Sequence, residues 1–323
     1  MVLSLQGRFA RDKDATTTRK VKSFFFQAEE YHTDLKGDKG NGKRLRGRVS
    51  LDILAFELSK LVFGTKRMAP GDCCRPPPPS KYEGQGVEEK WHGVDVYTTG
   101  SPSSSSAVVF ICDIYGWEVP QTRYLADRLA ASGHYVVVAD FLDKDYFCSP
   151  NPDDEYEGLP EWLDKHSKPQ AIDRASRIIE TLRGKGVKKI GVMGNCWGAK
   201  ITISLLFGDK GVDAAVMNHP SFLTIDEVKA VKVPLAIHAA RIDFVTTPEM
   251  AKEYEDILAS SLQPETRTNS YVKIFEGADH GWTTRYDDND ETACQRAEEA
   301  HADTIAFFHK HLHPPAADTV TEI

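Results

Sequence analysis

The sequence predicts an α/β protein with a mostly parallel β-sheet and helices on both faces. Three observations support this fold class. From about residue 92, short apolar runs rich in β-branched residues recur, helical stretches separate them, and successive positions within a run are apolar. Continuous apolar strands that alternate with helices are typical of a parallel sheet that is buried on both sides.

Strands and helices alternate strictly along this part of the chain. The predicted strands are Ala107–Ile111, Tyr135–Ala139, Ile190–Met193, Ala214–Met217, Pro234–His238 and Tyr271–Phe275. The predicted helices cover residues 121–132, 169–184, 198–207, 225–231, 247–260 and 290–312. The last helix has the clearest boundaries, because acidic residues precede its first turn and Pro314-Pro315 follows its end.

Composition excludes several other classes of protein. The 323 residues are 41% hydrophobic and 27% charged, as in a globular protein. A net charge of −8 argues against a general nucleic-acid binder. No run approaches the roughly 18 apolar residues of a membrane span. Six cysteines are too few for a disulfide scaffold. We therefore expect neither a nucleic-acid nor a membrane partner.

The charge is divided unevenly along the chain. Residues 1–67 hold 15 basic and 8 acidic side chains, whereas the remainder holds 25 and 40. This basic extension is a targeting segment, a disordered segment or an untranslated stretch that precedes a start at Met68. A short helix over Leu51–Phe63 is predicted within it. We expect one domain over residues 68–312, a disordered tail over 313–323, and a cytoplasmic location unless the extension directs the chain to an organelle.

One strand leads directly into a motif that carries chemistry. Ile190–Met193 is followed by Gly194-Asn195-Cys196-Trp197-Gly198 and then by a helix. This is the nucleophile elbow with cysteine in place of serine. Side chains at either glycine position would clash with the strand and the helix. The helix N-terminus favours the thiolate. The alternative is a buried structural cysteine that packs as a small hydrophobic residue.

Two partners for this cysteine follow in the expected order. Asp243 lies in the loop after strand Pro234–His238, and His280 lies in the loop after strand Tyr271–Phe275. An α/β hydrolase places its nucleophile, acid and histidine in this chain order, each after a strand. The α/β-hydrolase fold with a cysteine nucleophile is therefore favoured over a structural cysteine.

From about residue 69 to 312 the sequence resembles the dienelactone hydrolases, and the eukaryotic members are the most similar. The family's cysteine nucleophile distinguishes it from most α/β hydrolases, which use serine. The segments that carry the resemblance are Cys112–Trp117, Gly194–Gly198, Arg241–Val245 and Gly277–Trp282.

The resemblance implies a role for each catalytic residue. Cys196 attacks the carbonyl carbon, His280 takes up and returns the proton, and Asp243 fixes the imidazole tautomer. The oxyanion hole consists of the backbone N–H groups of Trp197 and Ile114.

Asp113 occupies a position where bacterial members of the family carry glutamate. The resemblance implies that this carboxyl group keeps the resting thiol neutral. The aspartate here is one methylene shorter, which reduces its reach by about 1.5 Å. We expect Asp113 in the active site, and the alternative is an acid that only caps the following loop.

Four further residues are expected to contact the substrate: Tyr115, His219, Trp282 and Arg285. Arg285 either pairs with a substrate carboxylate or is a solvated surface residue. The second substrate-binding arginine of the family has no clear match in this sequence. The substrate can therefore be a lactone or ester other than dienelactone.

The resulting functional prediction is hydrolysis of a lactone or small ester through a thioester intermediate. A thioesterase or carboxylesterase with the same triad and a catalytically idle binding module are the alternatives. We expect a small-molecule substrate as the partner, no metal or organic cofactor, and a monomer or a homodimer.

Overall fold

The computed structural model describes residues 76–151, 157–166, 168–208 and 210–313. The predictions for residues 1–67, and for 314–323 of the tail, lie outside the described residues. The strands are β1 (Val87–Trp91), β2 (Val94–Thr99), β3 (Ser106–Ile111), β4 (Tyr135–Ala139), β5 (Lys189–Asn195), β6 (Ala214–Asn218), β7 (Leu235–Ile242) and β8 (Tyr271–Asp279). The helices are α1 (Pro120–Ala131), α2 (Leu159–Lys165), α3 (Lys168–Gly184), α4 (Trp197–Leu205), α5 (Ile225–Lys229), α6 (Pro248–Ala259), α7 (Pro264–Asn269) and α8 (Glu291–Leu312).

The strands form one eight-stranded sheet in the order β1-β2-β4-β3-β5-β6-β7-β8. Strands β3 to β8 pair in parallel, whereas β1 and β2 join antiparallel at one edge. The predicted mostly parallel sheet is therefore confirmed. Parallel pairing gathers the carboxyl ends of β3, β5, β6, β7 and β8 at one edge of the sheet, where ligands of such sheets bind.

Helices cover both faces of the sheet, as predicted. Helices α1 and α8 pack on one face, and α3, α4 and α6 pack on the other. The core of the first face includes Phe110, Leu125, Val138, Met193 and Phe308. The core of the second face includes Ala199, Ile203, Met217, Ile237 and Tyr254. Because both faces of the central strands are buried, these strands are apolar at successive positions rather than at alternate ones.

The antiparallel edge was not predicted from the sequence. The side chains of β1 are exposed at four of its five positions, so the strand lacks an apolar run. A two-residue turn, His92-Gly93, joins it to β2 with φ of 52° and 83°. Positive φ at both residues is the geometry of a tight hairpin. The short helices α2 and α7, which each begin around a proline, were also missed.

Strands β7 and β8 continue beyond their predicted ends, to Ile242 and Asp279. Asp243 and His280 therefore follow their strands immediately. His313, the first residue of the predicted tail, is the C-cap residue that follows α8, and its ring stacks on His134 at 4.7 Å between centroids.

Three buried histidines stabilise the fold as neutral side chains. Burial lowers the pKa of His238 to about 3, and that of His134 and His301 to about 4. His238 Nδ1 lies 2.8 Å from Asn218 Oδ1, and His301 Nε2 lies 2.8 Å from the carbonyl oxygen of Thr283. These folded-state pKa values lie below the unfolded value of about 6.5, so stability is present above that pH and is lost as the pH falls.

We expect the free energy of unfolding to fall between pH 6.5 and 5 by roughly 2 kcal/mol for each of these histidines. Urea denaturation at several pH values in this range measures the free energy of unfolding. In His301→Gln this free energy is expected to depend less on pH. A free energy of unfolding that does not change over this range contradicts the prediction.

Candidate active site

The turn between β5 and α4 has the strain expected of a nucleophile elbow. Cys196 has φ of 51° and ψ of −114°, in a region that disfavours side chains with a Cβ. A Cβ added to Gly194 would lie 2.4 Å from the Gly198 carbonyl oxygen, and one added to Gly198 would lie 2.2 Å from that of Ile111. The predicted reason for both glycines is therefore confirmed, because the clashes are with backbone that cannot move aside cheaply.

Gly198→Ala is expected to lower the free energy of unfolding by at least about 2 kcal/mol, because the added methyl group overpacks the contact between β3 and α4. Gly184→Ala is the matched control. Gly184 ends α3 with no atom within 4 Å of a built Cβ, so alanine there is expected to be neutral or stabilising by about 0.5 kcal/mol. Urea denaturation compares the two variants, and equal stabilities would refute the packing argument.

His280 and Asp243 form a buried pair at the carboxyl ends of β8 and β7. His280 Nδ1 lies 2.7 Å from Asp243 Oδ2, and neither side chain is exposed to solvent. The other carboxylate oxygen accepts hydrogen bonds from the backbone N–H groups of Val245 at 2.8 Å and Thr246 at 3.1 Å. These bonds fix the carboxylate, which in turn fixes the orientation of the imidazole ring.

The charge on His280 depends on its two neighbours. Burial disfavours the imidazolium, but the Asp243 carboxylate and the Cys196 sulfur together hold the pKa of His280 well above its usual value. Within the described residues, Nε2 makes no well-aligned hydrogen bond, although the thiol is near enough to interact electrostatically. The arrangement can hold a proton on His280 beside the sulfur and transfer it during a reaction.

Ser221 also contacts Cys196. Its Oγ lies 3.3 Å from Cys196 Sγ, and its backbone N–H donates to the Cys196 carbonyl oxygen at 3.1 Å. The sequence places Asn218–Ser221 at a strand end that lines the pocket, but it predicts no contact between Ser221 and Cys196. The sequence signal that could have indicated this contact is strand order. In a parallel α/β sheet the strand that follows β5 often lies beside it, which brings the end of β6 close to Cys196.

Asp113 lies in the site but makes no hydrogen bond with Cys196 among the described residues. Its Oδ1 accepts the backbone N–H of Tyr115 at 2.9 Å, and its Oδ2 lies 3.6 Å from Arg285 Nε. Burial raises the pKa of Asp113, while the Arg285 guanidinium, the Tyr115 N–H and the His280 ring oppose that shift. Asp113 thus both caps its loop and faces the charged groups of the site.

Arg285 is an inward-facing side chain. It is 3% exposed, its Nη2 donates to the His280 carbonyl oxygen at 3.1 Å, and its guanidinium carbon lies 5.3 Å from the centre of the Tyr115 ring. The interpretation of Arg285 as a solvated surface residue is therefore wrong. Contact between the substrate and Arg285 or Tyr115 stays a prediction.

His219 and Trp282 form a small aromatic cluster beside His280. The ring of His219 lies edge to face against His280 with centroids 5.0 Å apart, and its Nε2 lies 2.8 Å from Thr283 Oγ1. Burial, with the charges of His280 and Arg285, holds the pKa of His219 well below its usual value. Trp282 packs against His219 at 5.4 Å. Contact of these two rings with the substrate stays a prediction.

The two predicted oxyanion donors lie on neighbouring segments. Trp197 begins α4, and Ile114 lies in the loop after β3, where its carbonyl oxygen accepts from Phe147 N–H at 2.9 Å. In the described part of the chain, neither the Trp197 nor the Ile114 N–H donates to a protein acceptor outside the regular elements. Their role as donors to a substrate oxygen stays a prediction.

A row of polar side chains beneath the site was not predicted. Asn195, Asn218 and His238 are register neighbours on β5, β6 and β7. Asn218 Nδ2 donates to Asn195 Oδ1 at 3.0 Å and Asn218 Oδ1 lies 2.8 Å from His238 Nδ1. The row links the ends of these three strands by side-chain hydrogen bonds, next to Cys196 in the chain.

The described residues contain no group of three or more histidine, cysteine or acidic side chains arranged to hold a metal ion. Among these same residues, no helix has the length and hydropathy that crossing a membrane requires.

The sheet order, the strained turn after β5 and the strand-end positions of Asp243 and His280 define an α/β hydrolase. The model of the dienelactone hydrolase family matches residues 94–312, about two thirds of the chain. The chain therefore belongs to the dienelactone hydrolase family, and it is a hydrolase that acts on ester bonds.

Individual relatives share a low sequence identity with this chain. An endo-1,3;1,4-β-D-glucanase of Zea mays is 34% identical over 175 residues, which span 54% of this chain and 55% of that protein. A carboxymethylenebutenolidase homolog of Homo sapiens is 30% identical over 208 residues, 64% of this chain and 82% of that protein. A dienelactone hydrolase structure from Klebsiella pneumoniae, described as putative in its name, superposes with a TM-score of 0.54 at 16% identity over 68% of this chain and 93% of that one, and so supports the fold alone.

Proposed function

We propose that this protein hydrolyses a lactone or small ester through a thioester on Cys196. The observation that supports this most directly is the buried His280–Asp243 pair, 2.7 Å apart, whose imidazole interacts with the sulfur of a strained nucleophile turn. A structural cysteine would need neither the strain nor the buried charge pair.

The reaction proceeds in two halves. The Cys196 sulfur attacks the carbonyl carbon, and the resulting oxyanion accepts hydrogen bonds from the N–H groups of Trp197 and Ile114. The tetrahedral intermediate collapses, the C–O bond breaks, and His280 gives its proton to the leaving alkoxide, which leaves an acyl thioester. A water molecule then loses a proton to His280 and attacks the thioester, the C–S bond breaks, and the acid product and the Cys196–His280 pair are released.

The charges in the site favour an uncharged reacting ester. Arg285 lies beside the Asp113 carboxyl group, which offsets its positive charge. A substrate carboxylate that approached Arg285 would have to compete with Asp113. We therefore propose that neutral lactones and small esters are better substrates than lactones that carry a carboxylate.

Cleavage of a glucan, which the name of the Zea mays relative suggests, fits the site less well. Glycosidases use two carboxyl groups that flank the scissile bond, one as acid and one as base or nucleophile. Asp243 is held by His280 and by two backbone N–H groups, so its carboxylate does not face a substrate. Asp113, the other carboxyl group described above in this site, pairs with Arg285.

A panel of substrates tests the proposed function. It contains neutral lactones, short-chain nitrophenyl esters, dienelactone and a mixed-linkage β-glucan. We expect turnover of the esters and lactones, weaker turnover of dienelactone, and no release of sugar. Release of sugar by a protein that turns over no ester would contradict the proposal.

A further inference from the structure

The hydroxyl group of Ser221 touches the sulfur of the proposed nucleophile. The two atoms are 3.3 Å apart, within hydrogen-bond distance for sulfur, and both side chains are buried. Ser221 is not part of the proposed Cys-His-Asp triad. It approaches Cys196 from β6, whereas Asp243 and His280 approach from β7 and β8.

The segment that carries Ser221 is strained and firmly held. His219 and Phe222, on either side of it, are non-glycine residues with φ of 37° and 60°. Such conformations persist where the surrounding structure over-determines them, and they concentrate at functional sites. Besides the bond from Ser221 N–H to Cys196, three hydrogen bonds hold the segment. They join His219 N–H to the His238 carbonyl oxygen at 2.7 Å, Thr246 Oγ1 to that of Pro220 at 2.6 Å, and Lys200 Nζ to that of Phe222 at 2.7 Å.

The direction of the hydrogen bond follows from the partners within reach. Ser221 is 2% exposed, and in the described part of the chain the sulfur is the hydrogen-bond partner of its hydroxyl. A buried O–H group that donates to nothing is costly, so its proton points at the sulfur. A thiolate is a much stronger acceptor than a neutral thiol, because a charged acceptor strengthens the bond.

We propose that Ser221 is a catalytic residue: its hydroxyl donates a hydrogen bond to Cys196 Sγ and stabilises the thiolate of the Cys196–His280 pair. This assignment rests on the proposed function, in which that sulfur is the nucleophile. In the family resemblance, the carboxyl group at position 113 controls the resting thiol. Here, Asp113 pairs with Arg285, and a hydroxyl on a different strand end contacts the sulfur.

The ionisable groups of this site come from several elements. His280 interacts with the sulfur and is paired with Asp243. His219 packs against His280, and Asp113 lies beside Arg285. Removal of the uncharged Ser221 hydroxyl leaves all five in place, so a change in thiolate population reports on the hydrogen bond itself.

The test is the pH dependence of alkylation of Cys196 by iodoacetamide, read on the Cys196 peptide by mass spectrometry. For Ser221→Ala we expect the midpoint to move up by about one pH unit, which is about tenfold slower alkylation below the midpoint. The limiting rate at high pH is expected to stay within about twofold, because a fully formed thiolate no longer depends on the donor. Ser221→Thr keeps a hydroxyl group, so its alkylation midpoint is expected to lie close to that of the unaltered protein.

Two controls separate this effect from a loss of structure. Ser221→Gly removes the hydroxyl group together with Cβ and, as a second variant that lacks the donor, is expected to reproduce the shift. Ser204→Ala removes a hydroxyl group that bonds the Lys200 carbonyl oxygen inside α4 and is expected to leave the profile unchanged.

An unchanged midpoint in both Ser221→Ala and Ser221→Gly would overturn the assignment. A lowered midpoint would also overturn it, because the hydroxyl would then be accepting the thiol proton. Failure of the proposed function looks different: Cys196 in the unaltered protein would resist alkylation at every pH, or turnover would survive its removal.

Discussion

Cys196→Ala is expected to lower turnover of the best ester or lactone by at least about 10⁴-fold, because loss of the proposed nucleophile removes the covalent route. The fold is expected to persist. Alanine has the same Cβ at the strained φ of 51°, and the lost sulfur atom contacts Ser221 rather than the main hydrophobic clusters. The expected result is a folded protein, with unchanged circular dichroism, that is inactive at every pH.

Cys148→Ala is the matched control for this variant. Cys148 is an exposed free thiol outside the site, and its sulfur contacts the carbonyl oxygen of Ser149. Its loss is expected to leave kcat/KM within about twofold, as is usual for surface substitutions. If Cys196→Ala and Cys148→Ala were equally active, the nucleophile would have been assigned wrongly.

Asp243→Asn is expected to lower kcat/KM by about 10³–10⁴-fold, without removing any atom that touches the substrate. The amide can still accept the backbone N–H groups of Val245 and Thr246, so the loop keeps its anchor. The amide N–H₂, however, donates to His280 Nδ1 and moves the ring proton to Nε2, which is the wrong tautomer for a base.

The pH dependence gives a second measure of this variant. The Asp243 carboxylate raises the pKa of His280, so its neutralisation is expected to lower that pKa. A titration of the His280 ring by nuclear magnetic resonance measures the shift. Asp256→Asn, at an exposed carboxylate beside Lys252, is the control and is expected to change neither rate nor titration. A His280 titration that stays in place in Asp243→Asn contradicts the pairing.

Sequence patterns predicted the parts of the fold that depend on local periodicity. The strands of the parallel sheet are apolar throughout, and the glycines around Cys196 are imposed by a local turn, so both can be recognised in a single sequence. The chain order of Cys196, Asp243 and His280 can also be recognised in the sequence, because each residue follows its own predicted strand. The exposed strand β1 lacks such a pattern, which is why the antiparallel edge was missed.

The contacts that Ser221 and Arg285 make within the site could not be predicted from local sequence patterns. Ser221 meets Cys196 because β6 lies beside β5 and because a strained loop, anchored by Lys200 and Thr246, turns toward the sulfur. Arg285 meets Asp113 because the loop after β8 folds over the loop after β3. Each contact joins segments that are far apart in sequence, and no local pattern records such distances.

Rapid quenching of the reaction with a nitrophenyl ester, followed by mass spectrometry of the digested protein, tests the thioester directly. We predict an acyl group on the peptide that contains Cys196, formed before steady state and lost at the rate of turnover, and absent from Cys196→Ala. Turnover without an acylated peptide, or an acyl group on Ser221 instead of Cys196, would contradict cysteine catalysis in this protein.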